Sequence, residues 1–198
     1  MTGVFICIEG LDGSGKSTQA KLLTKRLCKE GYPAIYTAEP SKGKIGQFIR
    51  KQLFEQTRMP VSVEALLFAA DRIEHVQRDI VPALQEDKIV ISDRYVYSSL
   101  AYQGSAGLSL DWIETINANA QKPDLSIFID VTPENVLNRL KRKKSVMENL
   151  PTQKRVQEIY QKYVTKGSLK RIDGSKGKQE VLEDLYTEVI CYLKKINA

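Results

Sequence analysis

The sequence has few of the residues that build metal sites and disulfide frameworks. Its 198 residues include one histidine, His75, and three cysteines, Cys7, Cys28 and Cys191. An odd number of widely separated cysteines, without a C-x-x-C pair, argues against a disulfide framework and against a zinc site. The single histidine argues against a histidine-based metal centre. We therefore expect reduced, buried thiols in a cytoplasmic protein.

Long apolar runs are also missing, and the first residues do not show the pattern of a signal peptide. The apolar runs, such as Ile89-Val90-Ile91, are far too short to cross a membrane. Met1 is followed almost at once by the apolar run Val4 to Ile8, without a basic n-region or a small-residue cleavage site. We therefore expect neither a membrane span nor a signal peptide.

The charge balance is basic, with 30 Lys and Arg against 24 Asp and Glu and a net charge of +6. The 42% of hydrophobic residues excludes a disordered chain. The excess fits simple solubility, nucleic acid, an anionic membrane or a phosphorylated small molecule. We find no nucleic-acid-binding motif, and no aromatic residues alternate with the basic ones, so a nucleic-acid partner is not expected.

Short apolar runs alternate with amphipathic segments along the whole chain. The pattern predicts five strands, at residues 4–8, 33–37, 88–92, 125–131 and 169–173. It predicts helices at residues 16–29, 45–56, 61–86, 110–120, from 133, 151–166 and 178–197. Pro82 should kink or divide the third helix, and Ser109 should cap the fourth. Strands that alternate with long helices predict one α/β domain over residues 1–198, with a five-stranded parallel sheet between helical layers.

The segment Gly10 to Ser17 matches the phosphate-loop pattern G-x-x-x-x-G-K-[ST]. Glycines allow several backbone N–H groups to point at one anion, next to the N-terminus of the following helix. Lys16 can reach the β- and γ-phosphates, and the Ser17 hydroxyl can bind Mg²⁺. The strand before and the helix after supply the required context, which predicts nucleoside triphosphate binding in a P-loop NTPase fold. The predicted binding residues are Gly10, Leu11, Asp12, Gly13, Ser14, Gly15, Lys16, Ser17 and Thr18.

The loop identifies the ligand class but not the reaction, because GTPase switches, ATPase motors and small-molecule kinases all carry it. The N-K-x-D motif of guanine-specific GTPases is missing, and the chain is too short for a motor with accessory domains. A small phosphotransferase is the class that remains.

Asp93 and Arg94 follow directly after a β-branched strand. This is the end of the strand where open α/β sheets bind ligands. An isolated Asp-Arg pair would be interpreted as a surface ion pair. Beside a phosphate loop, however, Asp93 has the position of a Walker B carboxylate that binds Mg²⁺ with Ser17. Arg94 can form a bidentate clamp on a phosphate.

At this point the sequence resembles the thymidylate kinases, which phosphorylate dTMP. The resemblance extends from about Phe5 to Leu193. It rests on motifs that occur in the order Ile8-Glu9-Gly10-Leu11-Asp12-Gly13-Ser14-Gly15-Lys16-Ser17-Thr18, Glu39-Pro40, Ile49-Arg50, Leu67-Phe68-Ala69-Ala70-Asp71-Arg72, Asp93-Arg94-Tyr95, Ser98-Ser99-Leu100-Ala101-Tyr102-Gln103-Gly104, Lys122-Pro123-Asp124-Leu125 and Ile172-Asp173-Gly174.

The resemblance implies an acceptor site for dTMP. Phe68 would stack on thymine, although a Phe on a helix is more often part of the core. Arg72, four residues later on the same helix face, would bind the base carbonyl O4. Tyr102 would exclude a 2′-hydroxyl. The other residues implied to bind the acceptor are Asp12, Glu39, Arg50, Arg94, Ser98, Ser99 and Gln103, of which Arg50 and Arg94 would grip its phosphate and Ser98 could equally be a helix cap.

The resemblance also implies a mobile lid over the donor, at about residues 139–151. Arg139 would pack on adenine, and Arg142 would reach the phosphates. These two arginines belong to a basic cluster formed by Arg139, Lys141, Arg142, Lys143 and Lys144. The alternative for this basic cluster is a solvated helix end, where the helix dipole favours cations. The phosphate loop has the neutral Gly13 where some relatives have a basic residue, so the lid must supply that charge. Ala38 stands where many bacterial relatives have an arginine before the Glu-Pro pair, and their Asp-Arg pair in the lid is also missing.

The implied reaction is the transfer of the γ-phosphate of ATP to dTMP, giving dTDP for dTTP synthesis. Lys16, Asp12, Arg94 and Arg142 would be the catalytic residues, with Mg²⁺ as cofactor. A general base is not needed, because the acceptor phosphate is already an anion. A homodimer is implied by the family alone. Two alternatives stay open, namely a kinase of another deoxynucleotide such as dUMP and a non-catalytic ATP-binding switch.

Overall fold

The computed structural model describes residues 2–53, 55, 59–139 and 149–196. Five strands form one sheet. They are β1 (Val4–Gly10), β2 (Ala34–Ala38), β3 (Ile89–Asp93), β4 (Leu125–Asp130) and β5 (Lys170–Asp173). Their order across the sheet is β2-β3-β1-β4-β5, and every pair is parallel. The predicted five-stranded parallel sheet is confirmed.

Strand β1 lies at the centre of the sheet, and all seven of its residues are buried. It pairs with β3 in a register that sets Ile8 opposite Asp93. The backbone N–H of Arg94 also donates to the Ile8 carbonyl at 3.0 Å. Because parallel strands end at the same edge, this register brings the phosphate loop next to Asp93 and Arg94.

Helices lie against both faces of the sheet. In the described residues they are α1 (Lys16–Lys29), α2 (Lys44–Gln52), α3 (Val61–His75), α4 (Val81–Gln85), α5 (Val96–Ser105), α6 (Leu110–Ile116), α7 (Pro133–Arg139), α8 (Leu150–Thr165) and α9 (Lys178–Ile196). Alternate residues of β1 face opposite layers. Ile6 and Ile8 pack in one apolar cluster with Leu23 of α1, whereas Phe5 packs in another with Ile80.

The predicted helix over residues 61–86 is interrupted a few residues before Pro82. A π-helical turn at Val76–Ile80 joins α3 to α4. Proline lacks an N–H and crowds the carbonyl four residues earlier, which here belongs to Arg78. The wider turn relieves that conflict without ending the helical path.

Helix α6 is shorter than predicted. Its N-cap is Ser109 as expected, since the Trp112 N–H donates to Ser109 Oγ at 3.4 Å. It ends at Ile116 because the side chain of Asn117 turns back, and Nδ2 donates to the Ile113 carbonyl at 2.8 Å. All three cysteines are free, as predicted, but only Cys7 is buried; the expected burial is wrong for Cys28 and Cys191, which are exposed on helices α1 and α9. Among the described residues, none of the helices is long and apolar enough to span a membrane.

Candidate active site

The phosphate loop turns tightly between β1 and α1. Gly13 has φ 91° and Gly15 has φ 94°, a left-handed conformation that glycine adopts without strain. Lys16, the first residue of α1, is 5% exposed and donates to the Leu11 carbonyl at 3.1 Å. Burial, together with the nearby Arg94, lowers the pKa of Lys16. Ser14 is buried with them, whereas Ser17 and Thr18 are exposed on the first turn of α1.

Arg94 and Asp12 form an ion pair where the ends of β1 and β3 meet. Arg94 Nη2 donates to Asp12 Oδ1, and Nη1 donates to Ser98 Oγ at 2.8 Å. The Tyr102 hydroxyl donates to Asp12 Oδ2 at 3.1 Å, and Lys16 Nζ lies 3.6 Å from Oδ1. Desolvation alone would raise the pKa of Asp12, but the charges of Arg94 and Lys16 outweigh it and hold that pKa below its usual value. Asp12 is therefore ionised and holds two cations together.

The backbone of Arg94 is in an uncommon conformation. Its φ is 73°, in the left-handed region that residues other than glycine seldom adopt. Such conformations persist only where the surrounding structure determines them, and they are frequent at functional sites. Here the contacts to Asp12 and Ser98 hold the side chain across the end of the sheet.

Asp93 has an oxygen that is available for a metal ion. The residue is 6% exposed, and Oδ1 has no hydrogen-bond partner among the described residues. Oδ2 accepts a hydrogen bond from the Tyr36 hydroxyl at 3.4 Å. Burial and the neighbouring Asp93 raise the pKa of Tyr36 to about 12, so the hydroxyl remains a donor.

The available oxygens fit Mg²⁺. Asp93 and Ser17 line the same cleft, and Mg²⁺ typically takes one or two protein oxygens and completes its shell with phosphates and water. The described residues contain no group of three or more His, Cys, Asp or Glu that could hold a metal without a substrate. An ion here would therefore depend on the nucleotide for most of its ligands.

A cleft of about 960 Å³ opens at this edge of the sheet. Its volume is within the range of small-molecule sites. Arg50 reaches it from α2 and donates to the Pro40 carbonyl. The sequence-predicted residues that line it are Asp12, Lys16, Ser17, Glu39, Arg50, Asp93 and Arg94.

Arg72 is buried beside this cleft, at 1% exposure. Its Nε and Nη2 both donate to Glu39 Oε2, at 3.0 and 2.7 Å. Nη2 also donates to Ser99 Oγ at 3.2 Å, and Nη1 donates to Asn117 Oδ1. The guanidinium lies 5.1 Å from the ring centre of Tyr95. Glu39 lines the cleft, and Arg72 lies directly behind it as its hydrogen-bond donor.

Six of the predicted acceptor residues lie outside the lining of this cleft, namely Phe68, Arg72, Ser98, Ser99, Tyr102 and Gln103. Phe68, one helical turn before Arg72, is partly exposed. Gln103 is buried between α5 and α3, where its Nε2 donates to Glu64 Oε1 at 2.7 Å. Ser98 is not the N-cap of α5, because that position is Tyr95 and it has no side-chain cap hydrogen bond. Ser98 Oγ instead accepts from Arg94 Nη1 at 2.8 Å and donates to Glu9 Oε2 at 2.6 Å, and its contact with the acceptor stays a prediction.

The donor side is described only in part. Arg139, the last residue of α7, donates to the Gly174 carbonyl at 3.4 Å. Gly174 follows β5, so Arg139 lies at the same edge of the sheet as the phosphate loop. Arg142 and most of the predicted lid lie outside the described residues, and their roles stay predictions.

Glu9 is a buried carboxylate beside the phosphate loop that the sequence analysis does not single out. It is fully buried at the end of β1, and its Oε1 accepts from the Tyr95 N–H at 2.8 Å. Its Oε2 accepts from Ser98 Oγ at 2.6 Å and from the Tyr160 hydroxyl at 3.0 Å. Burial raises the pKa of Glu9. The sequence feature that could have identified Glu9 is a lone carboxylate in a continuous apolar strand, directly before the first glycine of the phosphate loop.

Asp71 was also missed, although it precedes Arg72. Its Oδ2 accepts from the Ser41 N–H at 2.7 Å, and Oδ1 accepts from Ser41 Oγ at 2.6 Å. These bonds tie α3 to the segment whose Pro40 carbonyl holds Arg50. Two neighbouring residues of α3 thus fix the Glu39–Ser41 segment beside the cleft: Asp71 holds Ser41, and Arg72 holds Glu39.

Comparisons with known proteins agree with this geometry. The family model "Thymidylate kinase" matches residues 8–185. A probable thymidylate kinase of Pyrococcus horikoshii is 40% identical, over 98% of this chain and 97% of the relative. Those of Thermococcus gammatolerans and Methanocaldococcus jannaschii are 42% and 39% identical, over 95% and 98% of this chain and 94% and 97% of the relatives. The chain belongs to the thymidylate kinase family.

Proposed function

We propose that this protein transfers the γ-phosphoryl group of ATP to dTMP, giving ADP and dTDP. The observation that carries the proposal is the Asp12 carboxylate, which joins Arg94 to Lys16 of the phosphate loop. A donor triphosphate and an acceptor phosphate need cations at adjoining positions, and this pair supplies them.

The reaction needs alignment and charge neutralisation more than covalent chemistry. The loop N–H groups and Lys16 bind the β- and γ-phosphates. Arg50 and Arg94 orient the acceptor phosphate, whose oxygen forms the new P–O bond as the bond from the γ-phosphorus to the bridging oxygen breaks. Asp12 keeps Arg94 in position. Ser17 and Asp93 would hold Mg²⁺, which neutralises charge on the donor phosphates when bound.

The base is selected at Arg72. Its three hydrogen-bonding partners and the Tyr95 ring support this role, because they orient a buried guanidinium directly behind Glu39, which lines the cleft. Phe68, one turn away on α3, is proposed to stack on the base. Tyr102, whose hydroxyl lies between Asp12 and Arg94, is proposed to exclude a ribose 2′-hydroxyl.

Arg139 and Arg142 are proposed to act on the donor, within a single domain over residues 1–198. The position of Arg139 beside Gly174 supports its contact with adenine. Arg142→Ala should lower kcat without changing KM for dTMP, whereas Arg139→Ala should raise KM for ATP.

The protein is proposed to act in the cytoplasm. Its free cysteines agree with a reducing, cytoplasmic setting.

A homodimer is proposed as well. Its support is an exposed apolar surface on α2 and α3, formed by Phe48, Val63, Leu66 and Ile73. Burial of such a surface stabilises association. Sedimentation equilibrium should give a dimer mass for the wild type and a monomer mass for Leu66→Glu. A monomeric wild type would contradict the proposal.

An ADP-release assay with ATP and Mg²⁺ tests the function. The acceptors are dTMP, dUMP, dCMP, dAMP and thymidine, and dTMP should give the highest kcat/KM. A higher value for dUMP would identify a kinase of another deoxynucleotide. Release of no ADP with any acceptor would identify a non-catalytic ATP-binding protein. Lys16→Met, purified identically, reports any contaminating kinase.

A further inference from the structure

The hydrogen-bond donors of Arg72 are almost all engaged by protein. A guanidinium carries five N–H donors. Nε donates to Glu39, and Nη2 donates to Glu39 and to Ser99. Nη1 donates once, to Asn117. Four of the five donors thus have partners among the described residues, which leaves one N–H on Nη1.

Asn117 is well placed to fix that arrangement. It is 8% exposed and follows the last turn of α6. Its Nδ2 donates to the Ile113 carbonyl at 2.8 Å, which turns the amide so that Oδ1 faces Arg72. Glu39 comes from the end of β2 and Ser99 from α5, so three separate elements hold one guanidinium.

We infer that Asn117 is a positioning residue that sets the choice of base, because it occupies one Nη1 donor and leaves one N–H for the nucleotide. The inference rests on the proposed contact between Arg72 and the base. Thymine carries a carbonyl acceptor at C4, whereas cytosine carries an amino donor there. A single fixed N–H on a cation pairs with the carbonyl and opposes the amino group.

Loss of the Asn117 contact frees the guanidinium on one side. Arg72 can then tilt away from an amino group, so the penalty against cytosine becomes smaller. The bond to thymine weakens at the same time, because the donor is no longer held in place. The ratio of kcat/KM for dTMP to kcat/KM for dCMP is the quantity that reports this change.

Two substitutions separate the two hydrogen bonds of Asn117. Asn117→Asp keeps an oxygen acceptor for Arg72 and loses the donor to the Ile113 carbonyl. Asn117→Ser can still donate to that carbonyl, four residues earlier in the helix, but is too short to reach Arg72. Asn119→Ala, at an exposed position two residues later, is the matched control. For each protein, kcat and KM are measured with dTMP and with dCMP at saturating ATP.

We expect Asn117→Ser to lower the dTMP:dCMP ratio by about tenfold, mainly through KM for dTMP, as for a lost hydrogen bond to a charged group. Asn117→Asp should keep the ratio within about threefold of wild type, as Asn119→Ala should. Equal ratios for the Asp and Ser variants, or an unchanged ratio for the Ser variant, would overturn the inference. A wild type that does not phosphorylate dTMP would instead refute the proposed function. Thermal unfolding confirms that each variant is folded.

Discussion

Asp12 accepts a hydrogen bond from Arg94 at Oδ1, and the same oxygen lies 3.6 Å from Lys16 Nζ. One carboxylate therefore joins a cation of the phosphate loop to a cation that follows β3. The register of β1 and β3 makes this contact possible, because it sets Ile8 opposite Asp93. The groups proposed to bind donor and acceptor thus form one electrostatic unit, and perturbing it should affect the transfer step more than binding.

Asp12→Asn is expected to lower kcat by about 100-fold, because Arg94 loses its ion pair with Asp12. A displacement of about 1 Å of a group proposed to be catalytic can lower the rate by this factor. KM for ATP should change little, since the loop N–H groups remain. Steady-state kinetics with both substrates varied provide the measurement. Asp111→Asn, an exposed carboxylate on α6, is the control. A kcat for Asp12→Asn that equals the control value would show that the ion pair between Asp12 and Arg94 is not needed for phosphoryl transfer.

Asp12 should also stabilise the fold in a pH-dependent way. Its folded pKa is held below the usual 3.8, so the unfolded chain binds protons more readily than the folded protein. The stabilisation is present above about pH 4 and is lost as the pH falls through the folded pKa. The difference in Tm between wild type and Asp12→Asn should therefore shrink in acid. Melting curves from about pH 3 to 8 test this, and a constant difference would contradict it.

Glu9 should show the opposite dependence, although it is only three residues away. Burial raises its folded pKa above the usual 4.5, so here the folded protein binds the proton more readily. Its contribution is fully present below about pH 4.5 and is lost as the pH rises through the folded pKa. The Tm of wild type minus that of Glu9→Gln should thus decrease towards neutral pH. An increase in this Tm difference towards neutral pH would contradict a raised folded pKa for Glu9.

Asp93→Asn should raise the free Mg²⁺ concentration needed for half-maximal rate by about tenfold or more, because an amide oxygen carries no charge for the cation. The rate is measured as free Mg²⁺ is titrated at fixed ATP. Asp87→Asn is a suitable control, since Asp87 is exposed and asparagine adopts its φ of 57° readily. Identical Mg²⁺ curves for the two variants would exclude Asp93 as a ligand.

Gly46→Ala should disturb the acceptor side of the cleft. A Cβ at Gly46 would lie 2.2 Å from the Ser41 carbonyl oxygen and 2.7 Å from Asp71 Oδ1. The segment Pro40–Ser41, whose Pro40 carbonyl accepts from Arg50, must then shift. KM for dTMP should therefore rise by about tenfold, while the free energy of unfolding falls by about 1–3 kcal/mol. Gly31→Ala is the control, because its Cβ meets open space and only its φ of 89° is unfavourable. It should lower Tm without changing KM, and a matching rise in KM would contradict the explanation.

Local features of the fold and site could be predicted from sequence. Four of the five strands follow from apolar runs of strand length, whereas β5 is mostly charged, and the Ser109 cap follows from one hydroxyl at a helix start. The phosphate loop follows from glycines that allow its left-handed turns. Each of these depends on residues close together in the chain, so the pattern itself carries the information.

The partners of Arg72 could not be predicted in the same way. Glu39, Ser99 and Asn117 lie 33, 27 and 45 residues from it in the chain. Nothing in the sequence marks Asn117, whose role depends on where α6 ends relative to α3. The resemblance supplied Arg72 as a base-binding residue but not the number of donors that the protein itself consumes.

The sequence by itself determined the strands, the phosphate loop and the residue types of the cleft, because these depend on local propensity and spacing. Only the tertiary structure decided that Asp12 would join two cations, that Asp93 Oδ1 would have no described partner, and that Arg72 would keep a single N–H. The physical reason is that buried hydrogen bonds join groups from distant segments, and their pairing is settled when the layers pack.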